Sequence, residues 1–279
     1  MFSRLRNRFK KESKRKEPYI LKGEYDLSYQ IDPNSALDDH IVKHGIFQDW
    51  IATKLGELIN KNGIVLDIGA NVGLLTLPFA KKHVPKGRVY AFEPDIENYK
   101  QLEKNIDLNS LSNVIPQFIA LQDNSSIKEI EFFHRRVIDG DKLTNRGLST
   151  LEKISLYNIS SDTVQCSTID QFVRQNKLDT IDFIKIDVEG SEYKVLKGGK
   201  DSIENFCPII HYEYSTTIDK LTNSNNTNKS FSFLSELGYK QYVIQDEKKL
   251  MELKEYDSSL KDCNVLAIHK AYSHSFKLS

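Results

Sequence analysis

Short apolar runs alternate with amphipathic segments from residue 63 almost to the end of the chain. The runs at 63–68 and 88–92 have the length and branched aliphatic content of buried strands, and each precedes a segment with helical spacing of apolar residues. Further strands are predicted at 114–121, 127–133, 164–167, 181–188, 208–214, 239–244 and 264–269. This alternation predicts an α/β fold: a Rossmann-like, doubly wound, mostly parallel seven-stranded sheet with an antiparallel edge strand.

The pattern divides the chain into three parts. Residues 1–17 form a basic tail, 18–62 a lead-in that ends in a helix, and 63–279 the α/β domain. The helix of the lead-in presents one apolar face, made of Phe47, Trp50, Ile51, Leu55, Leu58 and Ile59. The polar stretch at 137–162 is long for a compact domain, and such loops are typical of functional lids.

Two predicted helices have readable boundaries. The helix after the first strand begins near Val72, and Pro78 predicts a kink in it. Asp95 is the predicted N-cap of the helix after the second strand. The residues of that helix that we expect to face inward are Ile96, Tyr99, Leu102 and Ile106.

Glycines and acidic residues follow the first two strands. The first turn reads Asp67-Ile68-Gly69-Ala70-Asn71-Val72-Gly73, and Glu93-Pro94 lies 20 positions beyond Gly73. Glycines let the backbone approach a ligand closely, and a carboxylate at the end of the second strand can accept hydrogen bonds from both ribose hydroxyls. The sequence therefore predicts a nucleoside site.

The first turn also indicates which nucleoside binds. The middle glycine of the dinucleotide pattern G-x-G-x-x-G is missing, and Asp67 would repel a pyrophosphate. A carboxylate suits the ammonium of an amino-acid ligand, and S-adenosylmethionine carries ribose, adenine, an ammonium and a sulfonium but no phosphate. We therefore predict S-adenosylmethionine as the cofactor. The alternative is a nicotinamide-type domain in which Asp67 caps the turn.

The strand at 181–188 carries charged residues at alternate positions. Lys185, Asp187 and Glu189 share one face of the strand, in a sheet that helices should cover on both sides. Burying an ammonium beside carboxylates is costly unless the groups pair or serve a site. A structural ion pair is one interpretation and a catalytic constellation is the other.

These segments, in this order, resemble the FkbM family of S-adenosylmethionine-dependent methyltransferases. The matching motifs are 67–73, Phe92-Glu93-Pro94, 184–192, Leu196-Lys197-Gly198-Gly199, Ser167-Thr168-Ile169-Asp170 and, less specifically, 145–149. The resemblance covers residues 45–215 and implies a class I methyltransferase fold. The cofactor residues it implies are Asp67, Gly69, Ala70, Asn71, Gly73, Glu93, Pro94, Ala120 and Leu121, with Asp123 a weaker candidate near the adenine.

The resemblance implies methyl transfer to a hydroxyl of a sugar, glycan, glycolipid or related natural product. A hydroxyl needs a general base, and Asp187 is the first candidate and Glu189 the second. His211 and Glu213, on the strand at 208–214, are further candidates, while Lys185 orients a carboxylate. Asp187, Glu189 and Glu213 could also supply oxygen ligands, but nothing in their spacing demands a metal, so none is predicted.

The distribution of charge along the chain bears on whether the protein binds lipid or nucleic acid. The chain is electrically neutral, but residues 1–16 carry eight basic residues against one acidic residue, a net +7 that leaves −7 elsewhere. The basic run is either a solvated tail or, through Phe2, Leu5 and Phe9, a helix that contacts anionic lipid. The acidic remainder argues against a large nucleic-acid footprint, so an RNA or protein methyltransferase is the weaker hypothesis.

Two further expectations concern the cellular compartment of the protein and a role without catalysis. Three dispersed cysteines indicate neither a disulfide framework nor a zinc site, and no apolar run is long enough to span a bilayer. These features predict a cytoplasmic protein, at the membrane surface if the basic run binds lipid. A catalytically silent cofactor-binding adaptor in a glycan-assembly complex is the alternative from another class. The sequence does not determine the oligomeric state.

Overall fold

The computed structural model describes residues 17–33, 38, 42–43, 51–135, 138–139, 142–143, 149–152, 159–245 and 249–271. The basic run at 1–16, the residues Phe47 and Trp50, and most of the 137–162 stretch, including 145–148, lie outside the described residues. None of the described helices has the length and apolar character needed to cross a membrane.

The described strands and helices follow the α/β pattern. The strands are β1 (Tyr19–Lys22), β2 (Ser28–Ile31), β3 (Ile64–Ile68), β4 (Arg88–Phe92), β5 (Val114–Gln117), β6 (Ala120–Leu121), β7 (Glu129–Arg135), β8 (Ile138–Asp139), β9 (Lys142–Leu143), β10 (Ile159–Ser167), β11 (Phe183–Ile186), β12 (Ile209–Tyr214), β13 (Tyr239–Gln245), β14 (Lys249–Leu253) and β15 (Cys263–His269). The α-helices are α1 (Thr76–Pro78), α2 (Ile96–Leu108), α3 (Ile169–Asn176), α4 (Glu192–Gly198), α5 (Lys200–Phe206), α6 (Thr216–Thr222) and α7 (Asn226–Glu236). Short 3₁₀ turns are found at Glu24–Asp26 and Gly56–Leu58, and π-helical turns at Ile51–Leu55 and Phe79–His83.

The main sheet has the order β14-β13-β15-β12-β11-β3-β4-β5 among the described strands. The five strands from β12 to β5 are parallel, and β15, β13 and β14 are antiparallel to their neighbours. This confirms the predicted α/β fold with an antiparallel edge; among the described residues the sheet has eight strands, one more than the seven predicted. The additional strand, β14, was missed because its residues are mostly exposed and carry no buried-strand pattern.

The predicted strand at 114–121 is two strands in different sheets. The first part, β5, lies at the edge of the main sheet, whereas β6 joins β10 and β7 in a separate three-stranded sheet. In this small sheet β10 is parallel to β6 and antiparallel to β7. The small sheet lies next to the carboxyl ends of the parallel strands, where Ala120, Leu121 and Phe132 line a cleft.

Both faces of the parallel strands are buried, which explains their continuous apolar runs. Val65, Val89 and Phe183 belong to one apolar cluster, which also includes residues of β2 and the 51–59 region. Leu66 and Ile184 belong to a second cluster with residues of α3, α4 and α7. The lead-in residues are therefore part of one wall of the core.

Two helix details differ from the predicted boundaries. The helix after β3 begins at Thr76 instead of near Val72, because the turn after β3 extends through Gly73. Its α-helical turn ends at Pro78 and continues as the π-helical turn Phe79–His83, which is the irregularity that the proline predicts. Ile96 was expected to face inward but is 39% exposed, as the first residue of α2, whereas Leu102 and Ile106 are buried.

Two asparagines, the buried Asn105 and the half-buried Asn109, attach the N-terminal hairpin to the domain. Oδ1 of Asn105 accepts the amide of Gln30 at 2.7 Å, and its Nδ2 donates to the carbonyl of Val72 at 2.8 Å. One turn further along α2, Asn109 accepts the amide of Ser28 and donates to the carbonyl of the same residue. α2 thus links β2 to the turn that follows β3.

Asn105→Ala should lower the free energy of unfolding by about 2 kcal/mol, because two buried backbone groups lose their partners. Urea unfolding followed by circular dichroism measures the change. The exposed neighbour Lys104→Ala serves as the matched control and should change stability by less than about 0.5 kcal/mol. Equal stability of the two variants would contradict the structural role of Asn105.

Candidate functional site

The turn after β3 has the backbone shape that its glycines predict. Gly69 and Gly73 have φ values of +77° and +91°, and Asn71 between them has φ +52°. The amides of Gly69 and Ala70 both donate to the carbonyl of Phe92, at 3.0 and 2.9 Å. A Cβ on Gly69 would overlap the carbonyl oxygen of Asp187. The first turn therefore packs directly against the end of β4 and the loop after β11.

Glu93 is held at the end of β4 by the surrounding backbone. Its Oε2 accepts the amide of Asn71 at 2.7 Å, and its Oε1 accepts the amide of Asp95 at 2.9 Å. Burial raises the pKa of the Glu93 carboxyl to about 7, although the two amides favour the ionised form. A carboxylate accepts about four hydrogen bonds, so each oxygen keeps a free acceptor position.

An open cleft lies at the carboxyl ends of β3, β4 and β11, and its empty volume of about 530 Å³ includes solvent space at its mouth. Eight of the site residues that we predicted from the sequence line this cleft: Gly69, Asn71, Glu93, Pro94, Ala120, Leu121, Asp187 and Glu189. Its remaining lining consists of Ile68, Phe92, Asn98, Ile119, Phe132, Ser149, Leu151 and Val188. Apolar side chains and carboxylates therefore face the same space, as a ligand with an aromatic base and polar groups would need.

Lys185 lies beneath the cleft and connects its two turns. Its Nζ donates to the carbonyl of Gly69 at 2.6 Å and lies 3.3 Å from Oδ1 of Asp67 and 3.8 Å from Oδ2 of Asp187. Burial opposes the charged form, but the carboxylates of Asp67 and Asp187 outweigh it and raise the pKa of Lys185. The geometry therefore shows a buried ion pair between Lys185 and these carboxylates.

Asp67 is fully buried beneath the same turn. Besides the Lys185 ammonium, its Oδ2 accepts the hydroxyl of Thr76 at 2.5 Å, at the start of α1. Asp67 is not among the described residues that line the cleft. Its carboxylate therefore supports the turn from below, through Thr76 and Lys185.

The loop after β11 is shaped in part by Glu192, a residue for which we predicted no role. Glu189 has φ +55° and Gly190 has φ +103°. Oε1 of the buried Glu192 accepts the amides of Val188 and Gly190 at 3.0 and 3.2 Å, and burial raises its pKa to about 7. Glu192 is the first residue of α4, and its contacts with these two loop amides follow from no capping pattern in the sequence.

A second support of this loop comes from the segment at 149–152. The hydroxyl of Thr150 donates to the carbonyl of Glu189 at 2.7 Å, and Oγ of Ser191 donates to Glu152 at 3.1 Å. Glu152 also pairs with Lys194 at 2.7 Å. No sequence pattern singled out Thr150 or Glu152, because both lie in a polar stretch far from the loop in sequence.

Three carboxyl groups lie together beside the cleft. One oxygen each of Asp187, Glu189 and Glu213 lie within 4.8 Å of one another. Burial and the repulsion of Asp187 and Glu189 raise the pKa of Glu213 to about 10, so that it holds a proton at neutral pH. We predicted no metal here, yet these oxygens are donors that a hard divalent cation accepts. Either a proton or a cation relieves the repulsion.

His211 is buried in the sheet and lies beside Lys185 in the strand register. Its Nε2 lies 3.0 Å from Oδ1 of Asn264, which can only accept, so Nε2 carries the proton and Nδ1 is left without a partner. Burial, together with the Lys185 ammonium, lowers the pKa of His211 to about 3. The imidazole is therefore neutral and a weak base.

The remaining predicted residues lie outside the cleft lining. Asp123 pairs with Lys197 at 2.8 Å, close to the surface. The predicted residues that are absent from the described lining are Asp67, Ala70, Gly73, Asp123, Lys185, His211 and Glu213. Of these, Asp67 and Lys185 form a buried ion pair beneath the first turn and Glu213 lies in the carboxyl cluster, whereas Asp123 is not in the described lining of the cleft.

The sheet order and the glycine turn facing Glu93 across adjacent strand ends define a class I S-adenosylmethionine-dependent methyltransferase fold. The model of the methyltransferase FkbM domain matches residues 67–241, which is more than half of the chain. The chain belongs to the FkbM methyltransferase family, as its motifs predict.

Similar proteins include enzymes with different acceptors. Hexuronic acid methyltransferase AglP of Haloferax volcanii is 26% identical over 163 residues, covering 58% of this chain and 60% of AglP. A tRNA(Phe) (4-demethylwyosine(37)-C(7)) aminocarboxypropyltransferase of Methanocaldococcus jannaschii is 40% identical over 87 residues, covering 31% of this chain and 33% of that enzyme. The chain thus spans less than two thirds of the length of either relative.

A solved structure is also similar. The crystal structure of methyltransferase FkbM from Methylobacillus flagellatus KT aligns with a TM-score of 0.44 and 19% identity. The alignment covers 74% of this chain and 44% of that chain.

Glu213→Gln should stabilise the protein increasingly as pH rises. The folded pKa of Glu213 lies above its unfolded value, so its contribution to stability is complete below the ordinary carboxyl pKa and is lost as pH rises towards 10. Glutamine stays neutral and avoids this loss. Between about pH 5 and pH 9, the advantage of the variant in unfolding free energy should grow by at least ~1 kcal/mol.

Urea unfolding across this pH range checks the Glu213 prediction. The exposed Glu236→Gln is the matched control and should show no pH-dependent advantage. An advantage of Glu213→Gln that stays constant with pH would show that Glu213 is ionised in the folded protein.

Proposed function

We propose that this chain transfers a methyl group from S-adenosylmethionine to a hydroxyl of a sugar, glycan, glycolipid or related natural product. The observation that carries the proposal is the shared cleft, in which Glu93 and the glycine turn face Asp187 and Glu189. A nucleoside-binding half and a half with general-base candidates thus face the same space. Family membership and the matched domain support the cofactor.

The residues of the first turn and of β4 would hold the cofactor. Glu93, with a free acceptor position on each oxygen, would accept the ribose hydroxyls. Leu121, Phe132 and Ile119 supply apolar surface for the adenine. Asp67 and Asp187 place negative charge near the region where the ammonium and sulfonium would lie. The cofactor supplies an electrophilic methyl group on its sulfonium.

Asp187 is the proposed general base. Its side chain lines the cleft and is 31% exposed, so an acceptor hydroxyl can reach it. The Lys185 ammonium, 3.8 Å away, holds the carboxylate in place. Glu189 lines the same cleft and is the second candidate.

The other two candidates fit less well as bases. Glu213 already holds a proton, so it cannot accept one from an acceptor hydroxyl. His211 is buried behind the cleft, and a pKa of about 3 makes it a weak base. Both side chains are neutral, Glu213 beside Asp187 and His211 beside Lys185.

The charge of the cleft favours a neutral acceptor. Asp187 and Glu189 would repel the carboxylate of an acidic acceptor but accept a hydrogen bond from a hydroxyl. Sugars present many such hydroxyls, and this supports an uncharged carbohydrate acceptor.

Transfer to RNA is a second candidate because of the tRNA-modifying relative, whose similarity covers 31% of this chain. The acidic cleft disfavours a polyanionic substrate, since phosphates near Asp187 and Glu189 would be repelled.

Transfer assays with labelled methyl groups, run in parallel on a glycan panel and on tRNA, test both candidates. Labelled tRNA without labelled glycan would overturn the proposal, and EDTA-treated protein would show whether a divalent cation takes part.

Glu93→Ala should weaken binding of S-adenosylmethionine and S-adenosylhomocysteine at least about tenfold, because the carboxylate loses its hydrogen bonds to ribose. Isothermal calorimetry measures both affinities, with NAD as a ligand that should not bind. The exposed Glu103→Ala is the matched control and should bind as the wild type does. Unchanged affinity in Glu93→Ala would refute the ribose assignment.

Asp187→Asn should lower turnover at least about a hundredfold while the affinity for S-adenosylhomocysteine changes less than about threefold, because only proton acceptance is lost. The exposed Asp179→Asn serves as the control. Initial rates with an accepted glycan, together with calorimetry, separate the two effects. If the Asp187→Asn variant keeps its turnover, the base is Glu189.

A further inference from the structure

A histidine outside the acidic cluster bridges two carboxylates from separate elements. Nδ1 of His134 lies 3.0 Å from Oδ2 of Asp95, and its Nε2 lies 3.0 Å from Oδ2 of Asp162. His134 is on β7 and Asp162 on the adjacent β10, whereas Asp95 immediately precedes α2. The bridge therefore attaches the small sheet to the main domain.

Both contacts need the doubly protonated ring. A carboxylate only accepts, and a neutral imidazole has a single N–H, which could satisfy one of the two carboxylates but not both. The imidazolium donates to both. Asp95, from the loop before α2, and Asp162, from β10, are the charged groups that face the ring, and they raise the pKa of His134 against its partial burial.

Asp95 connects His134 to the cleft through hydrogen bonds. Oδ1 of Asp95 accepts the amides of Glu97 and Asn98 at 2.9 and 3.1 Å and so caps α2. The amide of Asp95 donates to Oε1 of Glu93 at 2.9 Å. Glu93 and Asn98 both line the cleft.

The same histidine also orders the opposite wall. Phe132 lies two positions before His134 on β7, so both side chains are on one face of the strand. Their rings meet edge to face with centroids 5.3 Å apart. Phe132 lines the cleft. One imidazolium thus fixes the Glu93 side and the Phe132 side relative to each other.

We infer that His134, as the imidazolium, is a positioning residue for the cofactor: it holds Asp95, and through Asp95 the Glu93 carboxylate, against the wall that carries Phe132. This inference rests on the proposed assignment of the cleft to the cofactor. The bridge is complete below the ordinary histidine pKa and is lost as pH rises through the raised pKa of His134.

Two amide substitutions separate the two contacts. The side-chain amide of His134→Asn reaches the position of Nδ1 and keeps a donor for Asp95, whereas that of His134→Gln reaches the position of Nε2 and keeps a donor for Asp162. We expect the dissociation constant for S-adenosylhomocysteine to rise about tenfold in the Gln variant and less than about threefold in the Asn variant. Asp162→Asn, whose side chain is exposed, should bind like the wild type.

Calorimetry on the full chain measures these affinities, and an NMR titration of the histidine ring protons gives an independent readout. The His134 resonance is the one that disappears in the Asn variant. Its midpoint should lie above ~6.5 in the wild type and should fall in Asp162→Asn, because one carboxylate partner is removed. This measurement stands even if the Gln variant does not fold.

The outcomes distinguish the inference from the proposed function. Equal affinity of the wild type and the Gln variant, or a His134 midpoint at or below ~6.5, would overturn the inference alone. If the wild type binds neither S-adenosylmethionine nor S-adenosylhomocysteine, the assignment of the cleft fails, and the inference fails with it.

Discussion

The site depends on one buried ammonium. Lys185 lies beneath the meeting point of β3 and β11 and contacts the carbonyl of Gly69, the carboxylate of Asp67 and the carboxylate of Asp187. In the proposed function, the first turn belongs to the cofactor half of the cleft and Asp187 to the acceptor half. A buried charge is costly unless it is paired, and removing one partner would leave the other charge buried and uncompensated. The pairing therefore fixes the two halves relative to each other.

Around this ammonium the site is crowded with acids, and the protein limits the repulsion in three ways. Lys185 neutralises two carboxylates directly. Backbone amides hold Glu93 and Glu192, whose pKa values burial raises to about 7. Glu213 keeps its proton. What remains is a moderately negative cleft, which suits a ligand that carries an ammonium and a sulfonium and an acceptor without charge.

The wall opposite the parallel strands comes from elements that the common β-α-β pattern does not include. The small sheet contributes Phe132, and the segment at 149–152 contributes Leu151 and holds the Asp187 loop through Thr150. Main-chain and side-chain hydrogen bonds attach both to the strand ends. The proposed adenine surface, through Phe132, and the proposed acceptor half, through the Asp187 loop, therefore both depend on this wall.

The sequence by itself determined the parallel core and the order of its motifs. Apolar runs such as 63–68 must be buried on both faces, and the turn containing Gly69 and Gly73 needs positive φ values that are readable from residue type. The tertiary structure alone decided the rest. It placed β6 in a second sheet, paired Asp123 with Lys197, gave His211 and Glu213 their protonation states, and brought His134 between Asp95 and Asp162. Those features depend on burial and on distances between residues that are far apart in sequence, and no local pattern encodes either quantity.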